Sequence, residues 1–93
     1  MHRIEYTKAQ IDVIFYVLKL IEREDMSVNK GFERIKKEKV PISRSAFYTL
    51  AANFSTLHTL EQSGVDKEII IKVAEKLNIE PIYRGFKAWQ MMI

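Results

Sequence analysis

The longest apolar stretch of the chain, residues 11–21, repeats with the spacing of a helix. Its apolar residues recur three and four positions apart on one face, and a second apolar group lies beside them. Thr7 and Gln10 have the spacing of a capping box, in which each side chain bonds the other residue's backbone N–H. The charged run over residues 22–25 then ends the stretch in water. The pattern predicts a first helix beginning at Thr7. Its nearly all-round apolar surface predicts burial in the core or in a subunit interface.

Capping residues, prolines and glycines divide the rest of the chain into further helical stretches. The predicted boundaries are about Ser27 to Lys37, Ser43 to near Gly64, near Asp66 to Asn78, and a last helix beginning at Pro81. The expected core-facing residues of the third and last of these helices are Ala46, Phe47, Leu50, Phe54, Leu57, Ile82, Phe86, Trp89 and Met92. The chain is therefore predicted to be all-α, a single helical domain over residues 1–93 built as a compact bundle of four to five short helices.

Composition narrows the class of protein. The 93 residues include no cysteine, which removes disulfides, thiolate metal sites and cysteine nucleophiles. Residues 1–10 lack the apolar core of a signal peptide. The longest unbroken apolar run, residues 13–18, is far shorter than the roughly 20 residues that span a bilayer. We expect a cytoplasmic protein with no membrane association.

The positive charge is concentrated in one window, residues 30–44, which we call the basic segment. Its cations are Lys30, Arg34, Lys36, Lys37, Lys39 and Arg44. The segment contains six cations and two carboxylates, so its net charge is +4. The other residues of the chain carry nine cations and ten carboxylates. Such a patch is typical of a surface that meets a polyanion. A solvated helix face with ordinary surface lysines is the alternative.

The basic segment runs into the sequence Ile42-Ser43-Arg44-Ser45-Ala46-Phe47-Tyr48. With the helix before it, this stretch resembles the helix-turn-helix of small bacterial and phage regulators, and most of all the start of the recognition helix in TetR-type proteins. In that motif a short helix braces a second one, which begins with Ser or Thr and enters the major groove. The resemblance covers about twenty residues and implies a small transcriptional regulator of bacterial, plasmid or phage origin.

The resemblance also implies a role for each polar residue. Arg44 would read a base, because its fork suits guanine. The residues that would contact phosphates or bases are Ser43, Ser45, Tyr48 and Thr49, and those that would clamp the DNA backbone are Lys36, Lys37 and Lys39. The chain departs from the family at two places. Lys37 stands where the family has a small residue, and Pro41 where it has a glycine. The alternative to a helix-turn-helix is an ordinary helical hairpin whose connection is basic.

The apolar first helix and the apolar end of the last one predict a homodimer formed through either or both. A second basic and aromatic group, Tyr83, Arg84, Phe86, Lys87 and Trp89, has the composition of a surface that stacks on single-stranded nucleic acid. A closing amphipathic helix that packs or dimerises explains it more simply.

A protein-interaction module, such as an adaptor or inhibitor of another regulator, is the alternative function. Phe47 and Tyr48, with Ala51, Ala52 and Trp89, resemble the small haemolysin-expression modulators, although the spacing to Trp89 is longer than in that family.

Catalytic and metal-binding signatures are missing from the sequence. His2 and His58 have no second ligand at metal spacing, and there is no phosphate-binding glycine loop, HExxH motif or nucleophile elbow. We therefore expect a protein that is not an enzyme and that uses no cofactor or metal.

Overall fold

A computed structural model describes residues 6–92, and within them it contains five helices. They are α1 (Lys8–Arg23), α2 (Val28–Lys37), α3 (Arg44–Gln62), α4 (Lys67–Lys76) and α5 (Glu80–Met91). The described residues contain no strand, so the prediction of an all-α protein with four to five short helices is confirmed. None of these helices is long and apolar enough to cross a membrane.

The contacts between residues group the chain into two compact units. Unit 1 ends at Tyr48 and unit 2 begins at Thr49, so the boundary falls within α3. Each unit has its own buried apolar residues, described below. The single domain expected from the sequence stays a prediction.

The start of α1 follows the predicted capping box. Gln10 N donates to Thr7 Oγ1 at 3.1 Å, and Thr7 N donates to Gln10 Oε1 at 2.9 Å. Two of the backbone donors that a helix start leaves without partners are thereby satisfied. The prediction of a first helix beginning at Thr7 is confirmed, with Thr7 as the N-cap residue.

The core of unit 1 forms where α2 lies close against α1. Its buried apolar residues are Ile14, Phe15, Val17, Leu18, Phe32, Ile35, Val40 and Phe47. The rings of Phe32 and Phe47 lie 6.0 Å apart between centroids. Gly31 is buried in α2, and a Cβ atom built there would lie 2.9 Å from both Val17 Cγ1 and Ile21 Cδ1. The two helices can approach this closely because Gly31 has no side chain.

The core of unit 2 is an aromatic cluster flanked by aliphatic side chains. Phe54 meets Tyr83 and Phe86 edge-on, with ring centroids 5.9 and 5.2 Å away. This geometry is the favoured one for aromatic pairs. The other buried residues of unit 2 are Leu50, Ala51, Leu57, Ile70, Ala74 and Ile79. Tyr83 is only 6% exposed, so it belongs to the core and not to a surface that stacks on single-stranded nucleic acid.

Several expected core residues lie at the surface instead. Ala46 is exposed, Ile82 is 40% exposed and Met92 is 78% exposed. On α1, Tyr16 is 45% exposed, so the helix is not buried all round. The helical spacing identified the core-facing side of α3 correctly apart from Ala46, but on α5 it selected Ile82 instead of its buried neighbour Tyr83.

Gly31→Ala is expected to lower the free energy of unfolding by about 1 kcal/mol. Alanine gains up to about 1 kcal/mol in helix propensity, but overpacking against the stiff side chain of Val17 costs about 1–3 kcal/mol. Urea denaturation measures the difference. The same change in a Val17→Ala background should cost less, because the methyl group then has room. A Gly31→Ala variant as stable as the parent chain would contradict the close packing of α1 and α2.

Glu61→Gln is expected to destabilise unit 2 at neutral pH, but not in acid. Lys87 Nζ lies 2.7 Å from Glu61 Oε2. This hydrogen bond, helped by one from Tyr83, lowers the pKa of Glu61 below its ordinary value of 4.5 against a smaller opposing effect of burial. A lowered pKa stabilises the fold above pH 4.5, and the stabilisation disappears as the pH falls through the folded-state pKa. The pair is partly exposed, so the loss at neutral pH is about 0–1 kcal/mol.

Thermal or urea unfolding of both proteins along a pH series measures this difference. A gap between Glu61→Gln and the parent chain that stays constant into acid would contradict the ion pair with Lys87.

Candidate nucleic-acid interface

The basic segment covers most of α2, the connection after it and the first residue of α3. Lys36 and Lys37 lie in the last turn of α2, where cations interact favourably with the carbonyl end of the helix. Lys39 lies in the connection and Arg44 opens α3. All six cations of the segment are exposed and lie in unit 1. In the structure, the excess positive charge of the sequence therefore lies on exposed side chains of α2, of the connection and of the start of α3.

The connection begins with a left-handed residue, Lys39, at φ +59°. Lys39 N donates to the carbonyl of Lys36 at 3.0 Å, and Val40 N donates to that of Ile35 at 3.2 Å. This is a Schellman motif, which satisfies the last carbonyl groups of α2. Val40 and Ile35 are both buried, which provides the apolar contact that usually accompanies the motif.

The left-handed residue of the turn does not coincide with Pro41. The helix-turn-helix resemblance placed Pro41 where the family has its glycine. In the structure the left-handed position is Lys39, two residues earlier. Pro41 instead lies at the centre of a tight turn in which Ile42 N donates to the carbonyl of Val40 at 2.9 Å. The fixed φ of proline suits the centre of such a three-residue turn.

Ser43 caps α3, as predicted. Its Oγ accepts a hydrogen bond from Ala46 N at 3.1 Å, and its carbonyl accepts one from Phe47 N at 2.9 Å. An N-cap of this kind is worth about 1 kcal/mol. The hydroxyl group of Ser43 accepts in the cap, so its own proton is still available to donate to a phosphate oxygen.

Arg44 turns back onto α2. Its Nη1 donates to Asn29 Oδ1 at 2.9 Å, and its Nη2 lies 3.4 Å from Glu33 Oε1. The guanidinium carbon also lies 4.8 Å from the centre of the Phe32 ring. The side chains of Arg44 and Glu33 are about half exposed, at 51% and 57%, so this ion pair adds at most about 1 kcal/mol. A bidentate contact of the two Nη groups with a base edge would compete with these partners.

Tyr48 shares the same acceptor on α2. Its hydroxyl group donates to Asn29 Oδ1 at 3.2 Å, and its ring lies one helical turn from Arg44. Asn29 thus accepts from two side chains of α3, fifteen and nineteen residues further along the chain. Sequence reasoning missed Asn29, because an isolated exposed asparagine in a polar helix gives no periodic or motif signal.

Arg34 is also held within unit 1. Its guanidinium carbon lies 5.2 Å from the centre of the Tyr16 ring on α1. At an exposed site such a cation–π contact is worth about 0.5–1 kcal/mol. Both arginines of the basic segment therefore have aromatic partners.

The lysines of the basic segment behave differently. Within residues 6–92, the side chains of Lys30, Lys36, Lys37 and Lys39 form no hydrogen bond, ion pair or cation–π contact. Their ammonium groups are exposed to water. An open depression of about 780 Å³ on α2 is lined by Glu33, Arg34, Lys36, Lys37 and Glu38. Small-molecule pockets are mostly apolar, so this charged lining suits a charged partner better.

Ser45 and Thr49 are exposed on α3. They are four residues apart, so they lie on one side of the helix. Arg44 and Tyr48 form the neighbouring row. Of the residues that the sequence singled out, the structure thus brings Arg44 and Tyr48 together on Asn29, and it leaves the lysines and the two hydroxyl groups at the surface.

No metal site accompanies these residues. Among residues 6–92, no group of three or more histidine, aspartate or glutamate side chains is placed to hold a metal ion. The isolated His2 of the sequence lies outside the described residues.

Comparison of the chain with protein-family models, with curated proteins and with solved structures finds no match. The interpretation of the surface therefore depends on its geometry and charge.

Lys39→Gly is expected to raise the free energy of unfolding by about 1 kcal/mol, because a left-handed residue other than glycine carries a conformational cost of that size. Lys39→Ala is the matched control, since it removes the same charge and keeps the left-handed cost. Urea midpoints of the three proteins measure the effect. Equal midpoints for the glycine and alanine variants would contradict the left-handed conformation at Lys39.

Proposed function

We propose that this chain is a non-enzymatic DNA-binding protein of the class of small transcriptional regulators. It contacts the duplex with the end of α2, the connection after it and the first turns of α3. The observation that carries the proposal is the set of lysines at the end of α2, Lys36, Lys37 and Lys39, which are exposed and form no ion pair within residues 6–92.

Unpaired lysines suit a phosphate backbone because they lose no ion pair when they bind. Each phosphate that a lysine neutralises releases condensed counterions, and this release supplies most of the affinity for DNA at low salt. A lysine that already has a carboxylate partner would first have to give it up. Glu33, the acidic residue of the segment nearest to Arg44, is turned toward that arginine.

The polar residues at the start of α3 support the assignment of the same surface to DNA binding. Ser43 can donate its hydroxyl proton to a phosphate while it caps the helix, and Ser45 and Thr49 present hydroxyl groups on one side of α3. Arg44 and Tyr48 hold the first turn of α3 on α2 through Asn29. The assignment of Arg44 as a base reader accordingly requires that DNA displace Asn29 from the guanidinium.

Dimerisation is part of the proposal. The end of α5 supports it better than α1 does, because Met91 and Met92 are 87% and 78% exposed, whereas the apolar residues Ile14, Val17 and Leu18 of α1 are buried. Two copies would present two such surfaces to one duplex. The same exposed methionines support the second candidate, a module that binds another protein through α5.

Fluorescence anisotropy with labelled duplex DNA tests the proposal. We expect binding at low salt that weakens as salt rises. Lys36→Gln and Lys37→Gln should each reduce affinity on the order of fivefold to tenfold near 0.1 M salt, because each removes about one phosphate contact.

The matched controls are Lys72→Gln and Lys76→Gln, which remove exposed lysines of α4 and should leave affinity nearly unchanged. No binding to any duplex at low salt would contradict DNA binding and favour the protein-interaction module. Equal losses for the α2 and α4 variants would contradict the assigned surface.

A further inference from the structure

The cations of the basic segment divide by chemical type. Its two guanidinium groups are exposed but engaged by contacts within unit 1, Arg34 over the ring of Tyr16 at 5.2 Å and Arg44 at 2.9 Å from Asn29 Oδ1. Its four ammonium groups are at the surface and have no partner within residues 6–92; they belong to Lys30, Lys36, Lys37 and Lys39. We infer that the surface recognises the phosphate charge of a DNA duplex and does not select a base sequence. This inference rests on the proposed function.

The two kinds of cation differ in what they recognise. A guanidinium group has a flat fork of N–H donors that matches the two acceptors of guanine in the major groove. An ammonium group is a compact charge with rotating donors, and it binds phosphate as readily beside one base pair as beside another. The groups that lose no contact when they bind a partner are therefore the ones that carry little sequence information.

Arg44 is occupied by contacts of three kinds. It donates to Asn29, pairs with Glu33 at 3.4 Å and lies 4.8 Å from the Phe32 ring centre. A guanine contact through the same two Nη groups would compete with these interactions, so it would gain less over a wrong base. In this arrangement Arg44 is a positioning residue, which holds the start of α3 against α2.

The remaining polar groups of the surface do not distinguish one base sequence from another. Ser45 and Thr49 carry hydroxyl groups, which donate and accept and therefore bond to any base edge or to phosphate. Lys36 and Lys37 are successive helical residues, so they project about 100° apart around α2. That spread suits phosphates on the two sides of a groove better than neighbouring base edges inside it.

Two experiments test the inference. The first is a set of anisotropy titrations over a range of salt concentrations, with three duplexes of equal length and unrelated sequence. The second is the selection of bound sequences from a random-sequence duplex library. We expect affinities within about tenfold of each other and no enriched motif, whereas sequence-specific proteins prefer their sites by about 10³–10⁷. The slope of log K against log salt should be about −0.9 for each lysine engaged. Lys36→Gln and Lys39→Gln should each make it shallower by about 0.9, and Lys76→Gln should not change it.

Arg44→Lys provides the variant that separates positioning from base reading, because it keeps the charge and loses the fork. Circular dichroism establishes that the variant is folded. We expect the same salt slope and the same near-equal affinities as the parent chain, with a lower free energy of unfolding.

An enriched motif bound more than about tenfold tighter than the unrelated duplexes would overturn the inference, whether or not Arg44→Lys abolishes it. In that case the proposed function would stand. If no duplex binds at the lowest salt, the proposed function itself fails and the inference fails with it.

Discussion

The hydrogen bond from Arg44 to Asn29 joins the first turn of α3 to α2 beside the packed rings of Phe32 and Phe47, and the character of the exposed surface depends on it. One amide oxygen of α2 accepts from both Arg44 and Tyr48, which are one turn apart on α3. An amide oxygen has two lone pairs, so Asn29 can satisfy both donors at once. Because Arg44 is engaged by these contacts and Arg34 by the ring of Tyr16, the cations of the basic segment that have no partner within residues 6–92 are lysines.

Three of the four helix ends that precede a connection follow the same physical scheme. Lys39, Gly64 and Asn78 have φ values of +59°, +82° and +61°, and the N–H group after each of them bonds to a carbonyl five residues earlier. Such an ending closes the helix within two residues and buries the apolar side chain that follows, as it does for Val40 and Ile79. The connections are short because the helices are ended by backbone bonds and not by long loops.

The sequence contained most of the helical architecture because helices are specified by local signals. The capping box at Thr7 was predicted from Gln10, three residues away, and the cap at Ser43 from its residue type; both form as expected. Gly64 and Asn78, residue types that favour positive φ, were placed near the ends of the predicted third and fourth helices. The two compact units gave no comparable signal, since no Pro-rich or Gly-rich linker separates them.

The candidate site was predicted less well, because its geometry depends on residues far apart in the chain. The charge of the basic segment could be counted, but the direction of Arg44 is set by Asn29, fifteen residues earlier. The contact of Arg34 depends in the same way on Tyr16, eighteen residues earlier. Tyr83 could be read as a surface aromatic beside Arg84 and Lys87, and only its packing on Phe54 shows that it belongs to a core.

At Lys39, the stability of the fold and the proposed binding of DNA favour different residues. Glycine is the residue that best tolerates the backbone conformation found there, and lysine supplies a charge that glycine cannot. Selection for stability alone would favour glycine or asparagine at this position. Selection for binding a polyanion would favour a cation despite the conformational cost. The residue types that related chains carry at this one turn would therefore record which of the two pressures has been stronger.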